Sequence, residues 1–143
     1  MKTIIVVAAA LLPAAAAGAE LHFQCPERYL NRPVELLELP SGWRGAAAVR
    51  PELLVSGGGV IGGPLKLSPP AELRGEDVKS HDGWSATRYP VGRDGETWAY
   101  CAYGQGGEIQ LFRRVDGQGR NECIVRSIQP KSPASMRVEI ACK

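Results

Sequence analysis

The chain alternates between apolar and polar positions most regularly over residues 83–142, where short runs are separated by glycine-rich turns. Successive side chains of a β-strand point to opposite faces, so this alternation predicts strands. Residues 97–103 would place Trp98 and Tyr100 on one face and Cys101 on the other. Taken together, residues 83–142 predict an antiparallel β-meander whose tryptophans fill a core.

The rest of the chain extends this pattern. Further strands are predicted at residues 20–26, 34–39, 46–49, 52–55, 84–89, 109–113, 123–126 and 136–142. The glycine-rich segment 56–64 is predicted to be a mobile loop or a bulge, and segment 73–79 a polar surface loop or a single helical turn. About eight short strands with almost no helical periodicity predict an all-β fold, a small antiparallel sandwich or barrel stapled by disulfides.

The first residues predict a signal peptide. Lys2 precedes an apolar run at residues 4–12, and small residues lead up to Ala19. The run is interrupted by Pro13, and it is too short for a membrane-spanning helix of about 20 residues. We expect residues 1–19 to be cleaved and the mature chain to be exported without inserting into the membrane. Residues 20–143 would then form a single β domain.

The charge balance argues against nucleic acid as a partner. The whole chain carries a formal net charge of +2, and the predicted cleavage removes the positive charge of Lys2. So small an excess of basic residues provides no broad field to attract a polyanion.

The four cysteines predict two disulfides, because an even number of cysteines in a small exported chain is typical of a disulfide framework. Three pairings are possible. Since domain termini often lie close together, we expect Cys25–Cys142 and Cys101–Cys123. No C-x-x-C motif is present, which argues against a redox or zinc-knuckle role for these thiols.

No catalytic set, metal site or cofactor is predicted. Ser80, His81 and Asp82 contain the letters of a hydrolase triad, but triad residues must converge from different elements. They are interpreted as a polar turn. His22 and His81 are the only histidines, and their spacing does not match a metal site. Carboxylate pairs of the glycosidase kind could still be formed by Glu35, Glu38, Glu72, Glu76 and Asp77.

Binding to a partner is the function that the remaining residues suggest. Arg113 and Arg114 could enter an acidic cleft, and turns often carry functional residues, here Gln105 and Asp116. We take these four as the candidate partner-binding residues. The three tryptophans could instead stack on sugars, although aromatic residues in a small β domain are usually core.

The mature chain resembles a group of small exported proteins of Gram-negative bacteria to which no activity has been assigned. The most specific shared feature is a W-x-x-C-x-Y-G run at residues 98–104. The other matching pieces are Cys25-Pro26, Pro40-Ser41-Gly42-Trp43, Gly63-Pro64, Leu67-Ser68-Pro69, Trp84, Leu111, Arg113, Cys123 and Val125. The resemblance implies a cysteine-stapled periplasmic domain and implies no catalytic residue.

Two functions therefore stand as hypotheses. The first is a non-enzymatic periplasmic binding protein, in its most concrete form an inhibitor or immunity factor against a cell-wall-degrading enzyme or a delivered toxin. The alternative is an envelope domain that binds or hydrolyses cell-wall sugars or peptides through its tryptophans and carboxylates.

Overall fold

The fold is all-β, as the sequence predicts. The computed structural model describes residues 19–31, 39–42, 44, 50–65, 71–92, 95–117, 119–129 and 136–143. In these ranges the strands are β1 (Leu21–Gln24), β2 (Arg28–Leu30), β3 (Glu52–Gly62), β4 (Ala71–Glu72), β5 (Glu76–Val78), β6 (Ser85–Pro90), β7 (Thr97–Tyr103), β8 (Ile109–Arg114), β9 (Glu122–Ile128) and β10 (Arg137–Cys142). The predicted leader lies outside the described residues except for Ala19. The predicted strand at 46–49 and all of 34–39 except Leu39 also lie outside them.

The strands form two antiparallel sheets. The first sheet has the order β1-β10-β9-β6-β5, and the second has the order β2-β3-β7-β8, with β4 also pairing with β3. The chain changes sheet between β6 and β7 and again between β8 and β9. The predicted meander is therefore wrong for β6, which pairs with β9 and not with β7. Only β7–β8 and β9–β10 pair as consecutive strands in this region.

The core lies between the inner faces of the two sheets. Alternate residues of each central strand contribute to it. β10 shows this most clearly, since Val138, Ile140 and Cys142 are fully buried while Arg137 is exposed. On the outer face of the second sheet, Ile61 and Ala102 are buried as well. The other core residues include Leu53, Val55, Val60, Ala99, Cys101, Tyr103, Val115, Cys123 and Val125.

Residues 56–64 are predicted to be a loop or a bulge. The loop is wrong, because residues up to Gly62 belong to the long central strand β3, whereas a bulge is present where the register with β7 shifts between Val55 and Gly57. The glycines there allow close packing. A Cβ added to Gly58 would lie 2.9 Å from Cγ1 of Val138 in the first sheet. One added to Gly59 would lie 2.8 Å from the Tyr100 ring. Glycine in a strand often marks such a close approach. The polar segment 73–79 also contains a strand, β5, which pairs with β6.

The predicted cysteine pairing is wrong. The disulfides are Cys25–Cys101 and Cys123–Cys142. The termini are adjacent as expected, since β1 pairs with β10, but Leu21 is the residue opposite Cys142. Cys25 lies at the other end of β1, where its amide donates to the carbonyl of Val138. Four residues of strand, about 13 Å, therefore separate Cys25 from Cys142.

Each observed bridge follows from the topology. Cys101 lies on the inner face of β7, so its bond to Cys25 joins the second sheet to the first. Cys123 and Cys142 are directly opposite each other on β9 and β10. The next pair, Glu122 and Lys143, exchanges both backbone hydrogen bonds. The cysteines thus occupy a non-hydrogen-bonded position, where facing side chains are closest.

Candidate partner-binding site

A cleft of about 640 Å³ opens at one end of the second sheet. Three segments meet there: β2, the first half of β3, and the turn between β7 and β8. The lining residues are Arg28, Arg50, Glu52, Leu53, Leu54, Val55, Ser56, Gly104, Gln105 and Gly106. Backbone hydrogen bonds hold the three segments together. The Val55 amide donates to the backbone carbonyl of Glu27 at 3.0 Å, and the Gly104 amide donates to the backbone carbonyl of Leu54 at 3.0 Å.

The register of β2 and β3 determines which side chains face outwards. Arg28 is opposite Leu54, and Leu30 is opposite Glu52, so these four share the outer face. Leu30 is 72% exposed and Leu54 is 41% exposed. Tyr29 points to the other side, where its ring lies 5.8 Å from that of Tyr103 in the core. The pairing therefore anchors one face of the ribbon and displays two leucines and two charges on the other.

Among the residues that line the cleft, the charged side chains are those of Arg28, Arg50 and Glu52, and the Glu108 carboxylate lies beside Gly104 in the turn. A nitrogen of Arg28 lies 2.8 Å from Oε1 of Glu52, and both side chains are largely solvent-exposed. Such an exposed pair contributes at most about 1 kcal/mol to stability, so it can be opened by a competing partner. The side chain of Asn31 donates to the carbonyl of Arg50 at 3.1 Å, which ties the backbone of Arg50 to the end of β2. Mixed apolar and charged groups of this kind suit contact with another protein.

The β7–β8 turn forms the other wall of the cleft. Gly104, Gly106 and Gly107 all have positive φ, of 81°, 78° and 73°. Only glycine adopts this conformation without steric cost, so the three glycines set the shape of the turn. Gln105 and Gly106 are exposed at its tip. Of the four predicted partner-binding residues, Gln105 is the one that lines the cleft.

Arg114 and Asp116 lie at the far end of β8, about 20 Å from the turn tip. The Arg114 guanidinium donates to both carboxylate oxygens of Asp116 at 2.9–3.0 Å, and the Thr97 amide donates to the same carboxylate at 3.1 Å. The hydrogen bond from Arg114 is the main reason that the pKa of Asp116 is lowered. These two residues hold the end of β8 against the start of β7.

Arg113 points to the opposite side of β8 from Arg114. Its guanidinium lies 4.8 Å from the centre of the Phe23 ring, on the edge strand of the first sheet. The contact bridges the two sheets at their open edge. The structure therefore does not bring the four predicted partner-binding residues together. The sequence analysis missed Arg28, Arg50, Glu52 and Leu54, which surround Gln105.

A second cluster of side chains lies on the outer face of the second sheet, where Trp98 and Tyr100 alternate along β7. Phe112 is opposite Tyr100, with ring centres 6.0 Å apart, and Arg114 is opposite Trp98. The Tyr100 hydroxyl donates to Glu72 on β4 at 3.1 Å. Burial of the hydroxyl, followed by the nearby charge of Glu72 and this hydrogen bond, raises the pKa of Tyr100 to about 12.

The prediction that tryptophans fill the core is wrong for the two that are described. Trp84 and Trp98 are half-buried, and neither belongs to the core between the sheets. The guanidinium of Arg126 lies over the Trp84 ring at 5.1 Å, and that of Arg114 over the Trp98 ring at 5.8 Å. Trp43 lies outside the described residues.

The Ser80-His81-Asp82 segment is a turn before β6. The Ser80 hydroxyl donates to the backbone carbonyl of His81 and not to an imidazole. Asp82 has a φ of 70°, a conformation that aspartate tolerates better than most residues. His22 is on β1 in the first sheet. Among the described residues, no group of three or more His, Cys, Asp or Glu side chains could hold a metal ion.

Comparison with known proteins gives no relative for this chain. No family model matches it, and neither a curated protein nor a solved structure matches it. Over the ranges that the structure describes, no helix is long and apolar enough to cross a membrane. The resemblance to exported Gram-negative proteins therefore stays a prediction.

Proposed function

We propose that this protein is a non-enzymatic periplasmic binding protein, an inhibitor or immunity factor that blocks a cell-wall-degrading enzyme or a delivered toxin. The observation that carries the proposal is the cleft beside the β7–β8 turn, which Arg28, Arg50, Gln105 and the exposed side chain of Leu54 line together. The two disulfides support the location, because such bonds persist in oxidising compartments.

The partner would be recognised by shape and by charge. Enzymes that cleave glycan chains use paired carboxylates in an open groove. The β7–β8 turn would enter that groove with Gln105 at its tip, and Arg28 and Arg50 would face the acidic groups. Complementary charges of this kind direct the encounter and fix orientation. Leu30 and Leu54 would supply apolar surface from which water is released on binding.

Inhibition of purified hydrolases tests the proposal. The mature protein is titrated into assays that measure the release of labelled peptidoglycan by glycan-cleaving and peptide-cleaving enzymes. We expect stoichiometric inhibition of at least one glycan-cleaving enzyme, and protection of cells that express the protein in the periplasm. Absence of inhibition across the enzyme panel, together with absence of protection, would contradict the proposal.

Variants of the cleft locate the binding surface. Leu54→Asp and Arg50→Glu should weaken inhibition at least tenfold, because each places a negative charge on the proposed contact face. Arg137→Glu is the matched control, since Arg137 is exposed on β10 of the first sheet. If Arg137→Glu weakens inhibition as much as the cleft variants do, the binding surface is elsewhere.

A further inference from the structure

We infer that the outer face of the second sheet is a carbohydrate-binding platform that takes a β-linked hexopyranose chain. The platform is formed by Trp98, Tyr100, Phe112, Gln110 and Glu72. It is separate from the cleft, and the inference does not rest on the proposed inhibitor function.

The register of the sheet brings these residues together. Trp98, Tyr100 and Ala102 alternate onto the outer face of β7, and Phe112 and Gln110 are opposite Tyr100 and Ala102 on β8. On the other side, Tyr100 is opposite Gly59. The three aromatic residues are each half-buried. The Arg114 guanidinium lies over the Trp98 ring and the indole nitrogen is buried, so Tyr100 and Phe112 present most of the accessible aromatic surface.

Glycine allows the Tyr100 ring to lie over the neighbouring strand. A Cβ at Gly59 would lie 2.8 Å from both Cε1 and the hydroxyl oxygen of Tyr100. With hydrogen in that position, the ring extends across β3 and its hydroxyl reaches Glu72 on β4 at 3.1 Å. The ring is thus held at both ends, by its own strand and by a hydrogen bond.

This combination of groups matches the chemistry of a sugar ring. A β-linked pyranose has an apolar face of C–H groups, which pack on the electron-rich face of an aromatic ring. Its rim carries hydroxyl groups, which need planar side chains that both donate and accept hydrogen bonds. Gln110 is exposed beside Phe112, and the Glu72 carboxylate has acceptor capacity beyond its bond to Tyr100.

The polar groups also argue for a sugar over an apolar protein surface. The platform is bordered by Glu72 on one side and by the Arg114–Asp116 pair on the other. An apolar partner would leave the Gln110 amide, and the acceptor capacity of Glu72 beyond its bond to Tyr100, unsatisfied, which is costly when these groups are buried. The hydroxyl groups of a sugar satisfy both.

Titration with two tetrasaccharides tests the inference. The probes are cellotetraose and its N-acetylated counterpart, chitotetraose, added to the disulfide-intact mature protein and followed by amide chemical shifts. We expect saturable shifts at Tyr100, Gln110 and Phe112 with at least one probe. Binding of chitotetraose alone assigns the platform to N-acetylated glycans. No saturable shift with either probe, or shifts confined to the cleft, would overturn the inference.

Three variants complete the test. Phe112→Ser removes a stacking ring and Gln110→Ala removes a hydrogen-bonding group at an exposed position; each should weaken binding about tenfold or more. Arg137→Glu changes an exposed side chain on β10 of the first sheet and should leave the sugar affinity unchanged. Chemical-shift dispersion confirms that each variant is folded. If a folded Gln110→Ala and a folded Phe112→Ser both bind like the wild type, the platform is not the binding site.

Discussion

Gly58 on β3 packs against Val138 on β10, in the opposite sheet, and its lack of a side chain allows this contact. An added Cβ would be 2.9 Å from Cγ1 of Val138 and 2.9 Å from the backbone oxygen of Tyr100. One of these atoms belongs to a buried core residue and the other to the backbone. Neither can move aside cheaply, because protein interiors are close-packed.

Gly58→Ala should therefore destabilise the protein by about 1–3 kcal/mol, the usual cost of overpacking. The neighbouring Gly57→Ala is a matched control, since a Cβ at Gly57 would meet no atom within 4 Å. It should be neutral or slightly stabilising. Urea unfolding measures both. Equal effects of the two substitutions would show that β3 does not approach β10 in this way.

The two disulfides should differ in their contribution to stability. Cys25–Cys101 spans 76 residues of sequence, and Cys123–Cys142 spans 19. Loop-closure entropy gives about 4.5 kcal/mol for the longer loop and about 3.3 kcal/mol for the shorter. The double variant Cys25→Ala/Cys101→Ala should lower the unfolding free energy more than Cys123→Ala/Cys142→Ala does. Peptide mapping of the oxidised protein checks the pairing, and a peptide joining Cys25 to Cys142 would contradict it.

Tyr100 should make the fold sensitive to alkali. Its pKa is raised from 10.0 in the unfolded chain to about 12 in the folded protein. The neutral hydroxyl is the form that the fold favours, so its stabilising effect is complete below pH 10 and is lost as the pH rises from 10 towards 12. Tyr100→Phe lacks this group and should lose less stability over that interval. Tyr89 and Tyr103 also have raised pKa values and remain in both proteins, and the charge of Tyr89 is the smallest of the causes that raise the pKa of Tyr100.

Urea unfolding at about pH 9 and about pH 11 measures this difference for the wild type and for Tyr100→Phe. Ultraviolet difference absorbance of the folded proteins gives the ionisation directly. A tyrosine that titrates near pH 12 in the wild type should be missing from the variant. If both proteins lose stability equally between the two pH values, Tyr100 is not protected by burial and by Glu72.

The contact between Arg113 and Phe23 should couple the edges of the two sheets. A cation over an aromatic ring contributes about 0.5–1 kcal/mol at an exposed position. A double-mutant cycle of Arg113→Ala and Phe23→Leu should give a coupling of that size in the unfolding free energy. Arg113→Ala combined with Trp84→Leu serves as the control, because Trp84 contacts Arg126 instead. The two control substitutions should have additive effects on the unfolding free energy. Coupling in the control pair, with none between Arg113 and Phe23, would exclude the proposed contact.

The sequence predicts a strand correctly where apolar and polar residues alternate regularly. The prediction fails where contacts with residues distant in sequence determine the structure. β7 begins at Thr97 and ends at Tyr103 as expected, because strict alternation reports which face is covered. For the glycine run of β3 the sequence predicts a loop or a bulge, since glycine is locally permissive. The run is a strand because it pairs with β7, about forty residues further along the chain, and Gly58 packs against Val138 of the other sheet.

The candidate site is harder to predict for a related reason. Arg28 and Leu54 become neighbours only through the register of β2 and β3, and Gln105 joins them only because the chain returns in β7. No local pattern brings these three together. The cysteine pairing failed in the same way. Adjacent termini were predicted correctly, but the register of β1 on β10 places Leu21, and not Cys25, beside Cys142.

The pairing of β1 with β10 also determines how this protein can be dissected experimentally. The first described strand has its only strand neighbour, within the described residues, in the last one. A fragment that lacks β10 would leave β1 without its neighbour, expose one hydrogen-bonding edge of β9 and remove half of the Cys123–Cys142 bridge. Deletion mapping would therefore report loss of the fold at almost any boundary. A binding surface in this domain has to be located by single substitutions in the intact chain.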